Sequence, residues 1–302
     1  MRAAFLCAWL GLGALAACVP ADEAVGLGSV QFTFKVSVQT QEGVTETETL
    51  DRWALRFDRV VLGFKTMTLG RIGDTDICSF RGRGARSDVV FDPRLGVVQT
   101  FNGIQPAECP DVGIIFGPPG SETSLGEGVT SKDLIELAEG APAHAIVEAT
   151  ATKQTEFATR KLRIRLRFDS LRTATRFGGC RAAARGVTIL EKRRDEVSVR
   201  FAAENLFREA LSSSAGLRLD PFAKADLDGN ADDVVTMDEL DELRLSRLGQ
   251  WDFYQLPDGT TAGSFGDFVR VLFRFSFLYR SEGLCLGNEP GSESGGQPAP
   301  EF

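Results

Sequence analysis

The chain has 302 residues, with 34 Lys and Arg against 42 Asp and Glu, one His and six Cys, and a net charge of −8. That acidic balance argues against general nucleic-acid binding, and one imidazole cannot build a His-rich zinc or copper site. The length suits one large domain or two modest ones.

Arg2 supplies a short positive segment ahead of the apolar stretch Ala3 to Leu15, which is too short for a permanent membrane-spanning helix. The stretch ends in Leu15-Ala16-Ala17-Cys18, which resembles the bacterial lipobox. The resemblance implies a signal peptide over residues 1–17, acylation of Cys18 (palmitate among the acyl chains), and a mature protein held to a membrane by lipid. Val19 is not the Asp that marks inner-membrane retention, so the expected location is the outer membrane, on its periplasmic or surface face. Residues 18–28 then form a short anchored linker that keeps the body near the membrane. No later segment reaches about 18 consecutive apolar residues.

Loss of residues 1–17 removes Arg2 and Cys7 and moves the net charge from −8 to −9. Apart from Cys18, four cysteines remain: Cys78, Cys109, Cys180 and Cys285. An even number in an exported chain predicts two disulfides, with three possible connectivities, and buried free thiols are the alternative. Cys78–Cys109 and Cys180–Cys285 are preferred, because each pair closes a loop within or between plausible units. The spacing matches no zinc motif.

Residues 29–201 read as β-structure. Val30, Phe32, Phe34, Val36 and Val38 alternate with polar residues, the period of a half-buried strand. Similar patterns follow at Trp53 to Phe57, Ser87 to Phe91, Val97 to Phe101, Ala145 to Ala151 and Lys161 to Phe168. Val187 to Leu190 and Val197 to Phe201 suggest a hairpin around a charged turn. One helix, Lys132 to Ala138 capped by Ser131 and stopped by Gly140, interrupts them. Strands at this density, with Gly- and Pro-rich connections, predict an antiparallel β-sandwich-like body.

Residues 202–286 change to a helical period and form a small helical part. Helices are expected at Ala203 to Leu211, Pro221 to Leu227, Met237 to Leu248 and Ser264 to Tyr279, the last with Ser264 and Asp267 as a capping box. Residues 287–302, rich in Gly, Ser, Pro and Glu, read as a disordered tail. The predicted class is thus mainly β with C-terminal α.

Between the second and third of these helices lies DGNADDVVTMDE, Asp228 to Glu239, with the spacing of an EF-hand calcium loop. Asp228, Asn230 and Asp232 offer side-chain oxygens at positions 1, 3 and 5, Val234 its carbonyl at 7, Thr236 stands at 9, and Glu239 closes the site at 12. Asp233 occupies the position where Gly is usual, and Asp tolerates a left-handed backbone better than most residues. A register starting at Asp226 also aligns Asp228 and Asn230 but puts Thr236 near the closing position, so the first register is preferred. Asp226, Asp233 and Asp238 then add negative potential without being ligands. Ca²⁺ as a structural ion is the expected cofactor. The alternative is an acidic helix–loop–helix that no longer closes on metal.

Lys161, Arg163, Arg165 and Arg167 share one face of a strand. They could meet an anionic lipid or acidic glycan. The preferred reading is a solvated face paired with acidic neighbours, or protection of an edge strand. The Arg81 to Arg86 run is an exposed basic loop. The single His144 stands near no nucleophile motif, and no carboxylate pair is picked out by spacing.

Trp53-Ala-Leu-Arg-Phe-Asp-Arg-Val60, Asn205-Leu-Phe207 and the run from Asp220-Pro-Phe222 to Glu239-Leu240 resemble a group of bacterial envelope lipoproteins from myxobacteria-like lineages that carry a C-terminal EF-hand. Relatives in that group carry histidines where this chain has Ala202, Asn205 and Leu284, so any transition-metal site of the group is not expected here. The resemblance implies the location and the calcium loop, but no reaction or substrate. The expectation is a non-enzymatic, lipid-anchored binding or scaffold protein with a protein or glycan partner. An envelope hydrolase with a dispersed carboxylate site is the alternative.

Overall fold

Val30, Phe32 and Phe34 are buried along strand β1 (Gly28–Val36), while Lys35 points to solvent. The strand stops short of the expected Val38. Ser37 accepts a hydrogen bond from the Thr40 amide and caps the short helix α1 (Val38–Glu42), which turns Val38 outward. The computed structural model describes residues 26–70, 88–96, 98–104, 106–109, 111–169, 176–180, 187–210, 215–249, 254, 262–279 and 283–287. The expected signal peptide, Cys18, Cys78, the Arg81 to Arg86 run and residues 288–302 lie outside them.

The chain continues through β2 (Trp53–Gly70), β3 (Val89–Phe91), β4 (Val98–Ile104), β5 (Ala107–Cys109), β6 (Asp111–Phe116) and β7 (Ser124–Leu125). Helix α2 (Ser131–Ala138) is capped by Thr130, one residue before the expected cap, in a reciprocal box with Asp133. Then come β8 (Ala143–Gln154), β9 (Thr159–Asp169), β10 (Arg176–Cys180), β11 (Val187–Ile189) and β12 (Arg194–Phe201). Ala203–Phe207 is a 3₁₀ turn rather than the expected helix. The remainder is α3 (Asp220–Asp228), β13 (Val234–Thr236), α4 (Met237–Glu242), a 3₁₀ turn at Leu245–Arg247, α5 (Phe265–Phe275), β14 (Phe277–Tyr279) and β15 (Gly283–Gly287). Ser264 and Asp267 form the expected capping box on α5.

The fold is mainly β with a C-terminal α part. The long sheet runs β13-β9-β8-β2-β6-β10-β15-β14-β12-β1-β4, with β3 attached beside β2 and β7 beside β3. Most pairs are antiparallel, but β1–β12, β13–β9 and β3–β7 are parallel. The hairpin expected between Val187 and Phe201 does not form. The chain turns through Lys192, at φ 53, and β12 pairs with β1 and β14 while β11 pairs with β5. Val197, Val199 and Phe201 face the core.

The sheet curls so that its two halves face each other. Phe34 of β1 and Phe64 of β2, six places apart in the strand order, have ring centroids 5.2 Å apart, and Phe116 of β6 meets Phe277 of β14 at 4.7 Å. That is a sandwich-like body with a Phe-rich interior. Helix α5 enters it: Phe273 stacks on Phe168 of β9 at 4.1 Å and meets Phe201 of β12 at 5.7 Å. One contiguous core holds residues from β1 through α5, and β14 and β15 belong to the same sheet, so the helical part shares both with the β-body. On the outer face, Leu137 of α2 packs with Val61, Val90, Ala143 and Ile146.

In backbone register, Cys180 of β10 stands directly opposite Cys285 of β15.

Candidate metal centre

Helix α3 begins where Asp51 Oδ2 accepts from the amides of Leu219 and Asp220, at 2.7 and 2.6 Å. Burial pushes the Asp51 carboxyl up from its ordinary range, against those two bonds. Trp53 Nε1 donates to Asp220 Oδ1 at 2.8 Å, which ties the same end of the helix to β2. Phe222 and Asp226 are four residues apart on one helix face, and both are buried. The helix therefore carries a carboxylate inward on its apolar side, at its C-terminal end, where the macrodipole disfavours negative charge and favours a cation.

The chain then loops back. The Ala231 amide donates to the Asp226 carbonyl at 2.8 Å, and the Asp233 amide donates to Asp226 Oδ1 at 2.9 Å. Asn230 Oδ1 accepts from the Asp232 amide and Asp232 Oδ1 from the Val234 amide, two local turns that set the loop's path. Ala231 and Asp233 both adopt left-handed backbone, φ 55 and 61, so Asp233 takes the conformation its position calls for. Strand β13 follows, with Val235 in the core. At the start of α4, Thr236 and Glu239 close a capping box in which Glu239 Oε2 accepts from the Thr236 amide at 2.8 Å and its hydroxyl at 3.0 Å.

This arrangement brings Asp226, Asp232 and Glu239 together, with one carboxylate oxygen from each lying within 4.8 Å of the others. Asp226 is 1 % exposed and Glu239 8 %. Glu239 Oε1 is sealed from solvent and has no hydrogen-bond partner. It faces the first turn of the loop: a Cβ placed on Gly229 would lie 2.8 Å from it and 3.0 Å from the Ala225 carbonyl oxygen. Calcium with oxygen ligands at about 2.3–2.6 Å holds opposite ligands up to about 5 Å apart, so three oxygens at this spacing suit one such ion.

Of the residues expected as ligands, Asp232 and Glu239 join the cluster. Asp228 instead pairs with Lys224 across one helical turn, Nζ to Oδ2 at 3.1 Å. Asn230 is exposed, and Val234 and Thr236 belong to β13. The third member of the cluster is Asp226, expected from the sequence only to add negative potential. The signal that could have found it is its four-residue spacing from Phe222, which puts it on the buried face, whereas Asp228 lies off that face.

EF-hand loops ordinarily pair strand to strand with a second hand. Here β13 pairs in parallel with edge strand β9, Val234 opposite Arg163, Val235 opposite Ile164 and Thr236 opposite Arg165. The cationic strand is thus the loop's neighbour, and Arg165 and Arg167 on it have local partners. Arg165 bonds Glu136 and pairs with Glu148 at 3.2 Å, and Arg59 bonds Asp133, Glu136 and Glu148. Arg167 donates to the carbonyls of Leu137 at 3.2 Å and Glu139 at 2.5 Å, at the C-terminal end of α2. Lys161 and Arg163 are exposed.

Two other polar sites bear on the alternatives. Buried Glu204 accepts from the Ser37 and Thr40 hydroxyls at 2.6 and 2.7 Å, a joint between α1 and the Ala203–Phe207 turn. An open pocket of about 430 Å³ beside Leu27, Asn102, Lys192, Arg193 and Arg194 has no carboxylate in its lining, so it lacks the acid pair that glycoside hydrolysis uses. No protein-family model matches the chain, and neither a curated protein nor a solved structure matches it.

Proposed function

We propose that this chain is an exported, lipid-anchored envelope protein that binds one Ca²⁺ between α3 and α4, as a structural clamp in a non-enzymatic binding or scaffold role. The observation that carries the calcium reading is Glu239 Oε1, a buried carboxylate oxygen without a partner, in a cluster with Asp226 and Asp232. Leaving such an atom unpaired costs about 1–3 kcal/mol or more for a charged group, and a bound cation would remove that cost. Hard oxygen donors, with no nitrogen or sulfur among them, suit calcium better than a transition metal. The ion would join the end of α3 to the start of α4 across a loop already paired to β9. The envelope location rests on the Leu15 to Cys18 motif.

The test is calorimetric titration of Ca²⁺ into the metal-stripped full chain. One saturable site is expected, weakened roughly tenfold or more in Glu239→Gln and in Asp226→Asn, since each removes a unit charge next to the ion. Glu239→Gln keeps an oxygen to accept from Thr236, so the helix cap survives. Absence of binding heat together with unchanged thermal stability would overturn the calcium reading.

A further inference from the structure

Arg160 stands at the start of β9 and turns away from the exposed cationic face toward α3. Its Nη2 lies 3.6 Å from Asp226 Oδ2 and 3.4 Å from the Ala223 carbonyl, and its guanidinium lies over the Trp53 ring, 5.8 Å from the centroid. Asp226 is 1 % exposed while the Arg160 side chain is one-third exposed, so the guanidinium sits over the buried carboxylate from the solvent side. The other charges around the loop are disposed differently. Lys224 is engaged with Asp228 on the outer side of α3, and Lys153 Nζ bonds Asp220 at 3.0 Å at the helix's far end. Asp232 and Asp233 are exposed, and Asp233 meets Asp226 only through its amide.

We propose that Arg160 is a built-in competitor for the cation: its guanidinium neutralises Asp226 when no ion is bound and is displaced from Asp226 when one arrives. The inference rests on the calcium reading above and adds how affinity is set. A divalent cation drawn to Asp226, Asp232 and Glu239 must approach an oxygen that already faces a positive charge. Like charges this close repel, and with Arg160 one-third exposed and partly screened that repulsion is expected to change affinity about tenfold. Arg160 has somewhere to go, because the Ala223 carbonyl and the Trp53 face, which Lys153 also approaches at 5.5 Å, hold it without Asp226. Trp53 then reports the exchange, since a guanidinium that shifts over the indole changes its emission.

The experiment compares the full-chain protein with Arg160→Gln and Arg160→Lys, titrated with Ca²⁺ by calorimetry and by tryptophan fluorescence. Gln can still donate to the Ala223 carbonyl but carries no charge, while Lys keeps the charge. Calcium affinity is expected to rise about tenfold or more in Arg160→Gln and to stay within about threefold of the parent in Arg160→Lys. With calcium absent, Arg160→Gln should melt below the parent. If the parent binds calcium and a natively folded Arg160→Gln binds it no more tightly, the competitor role is overturned while the calcium site stands. If only Arg160→Gln binds, the competitor role is supported in its strongest form. If none of the three binds, both fall. Should Arg160→Gln fail to fold, a parent-like affinity and fluorescence response in Arg160→Lys supports the charge assignment, and higher affinity in Arg160→Lys overturns it.

Discussion

At the scale of single residues, the buried polar groups divide into those whose partners are complete and those left open. Glu204 is of the first kind, accepting from the Ser37 and Thr40 hydroxyls at 2.6 and 2.7 Å. Among the described residues, Asp51 Oδ1, His144 Nδ1, Glu239 Oε1 and Arg270 Nε are of the second. Glu239 and His144 call for different readings, because their surroundings differ. Glu239 lies among carboxylates, which invite a cation. His144 is 1 % exposed at the start of β8 with its ring 5.5 Å from Phe273, and burial holds its pKa down to about 4. Among charged groups, Asp169 raises that pKa and Arg274 lowers it, and neither outweighs desolvation. The folded state therefore keeps this imidazole neutral at pH values where the unfolded chain, with a pKa near 6.5, protonates it. Because the folded pKa is depressed, the stability linked to His144 is fully present above about pH 6.5. It declines as pH falls toward about 4, by on the order of 3 kcal/mol in total. His144→Phe fills similar space and cannot titrate. Urea denaturation from pH 7 to 4 should show a shallower loss of stability in the variant than in the parent, and parallel curves would refute the assignment.

At the scale of elements, the helix–loop–helix differs from a paired EF-hand by what its short strand docks against. β13 covers edge strand β9 over Arg163–Arg165, so the loop is held by the sheet and the sheet edge is protected by the loop. The same loop carries strain at Ala231, at φ 55, since a left-handed residue other than Gly costs roughly 1–2 kcal/mol. Ala231→Gly should raise stability by about 0.5–1 kcal/mol, the relief exceeding the added freedom of the unfolded chain. A lower melting temperature in that variant would show that Ala231 is held by something other than backbone fit. The strands were legible because each alternates within itself: Leu162, Ile164, Leu166 and Phe168 are buried as their spacing predicts. Partnership between strands was not legible, since Val187 to Ile189 and Val197 to Phe201 read alike whether they pair with each other or with distant strands. The loop was legible as a motif from Glu239 and Val235, but which carboxylate of α3 clusters with Asp232 and Glu239 was not. Choosing between Asp226 and Asp228 needs to know which face of α3 meets the core, and that depends on Phe222 packing against Phe207 and Phe265.

At the scale of the molecule, the loop is mechanically connected to everything else. Glu239 caps α4, Asp241 of α4 grips Arg270 of α5, and a Cβ on Gly266 would collide with Asp241 Oδ1, so the two helices meet at glycine distance. α5 in turn is surrounded by Phe168, Phe201 and Phe277 from three separate strands. A metal loop on an independent module would melt on its own. The loop proposed here to hold calcium shares a core with the sheet, so a cation bound there should stabilise the whole molecule at once. At a calcium concentration a hundred times the dissociation constant, linkage adds about 2.7 kcal/mol. For a chain of this size each kcal/mol is worth about 2–4 °C. Scanning calorimetry of the full chain should therefore show one transition that moves up by roughly 5–10 °C with calcium and returns on chelation. Two transitions, with only the smaller one responding, would mean that α3, α4 and the loop unfold apart from the sheet. The clamp would then act on the helical part alone, and the junction of α4, α5 and the β9 edge would be a hinge rather than a weld.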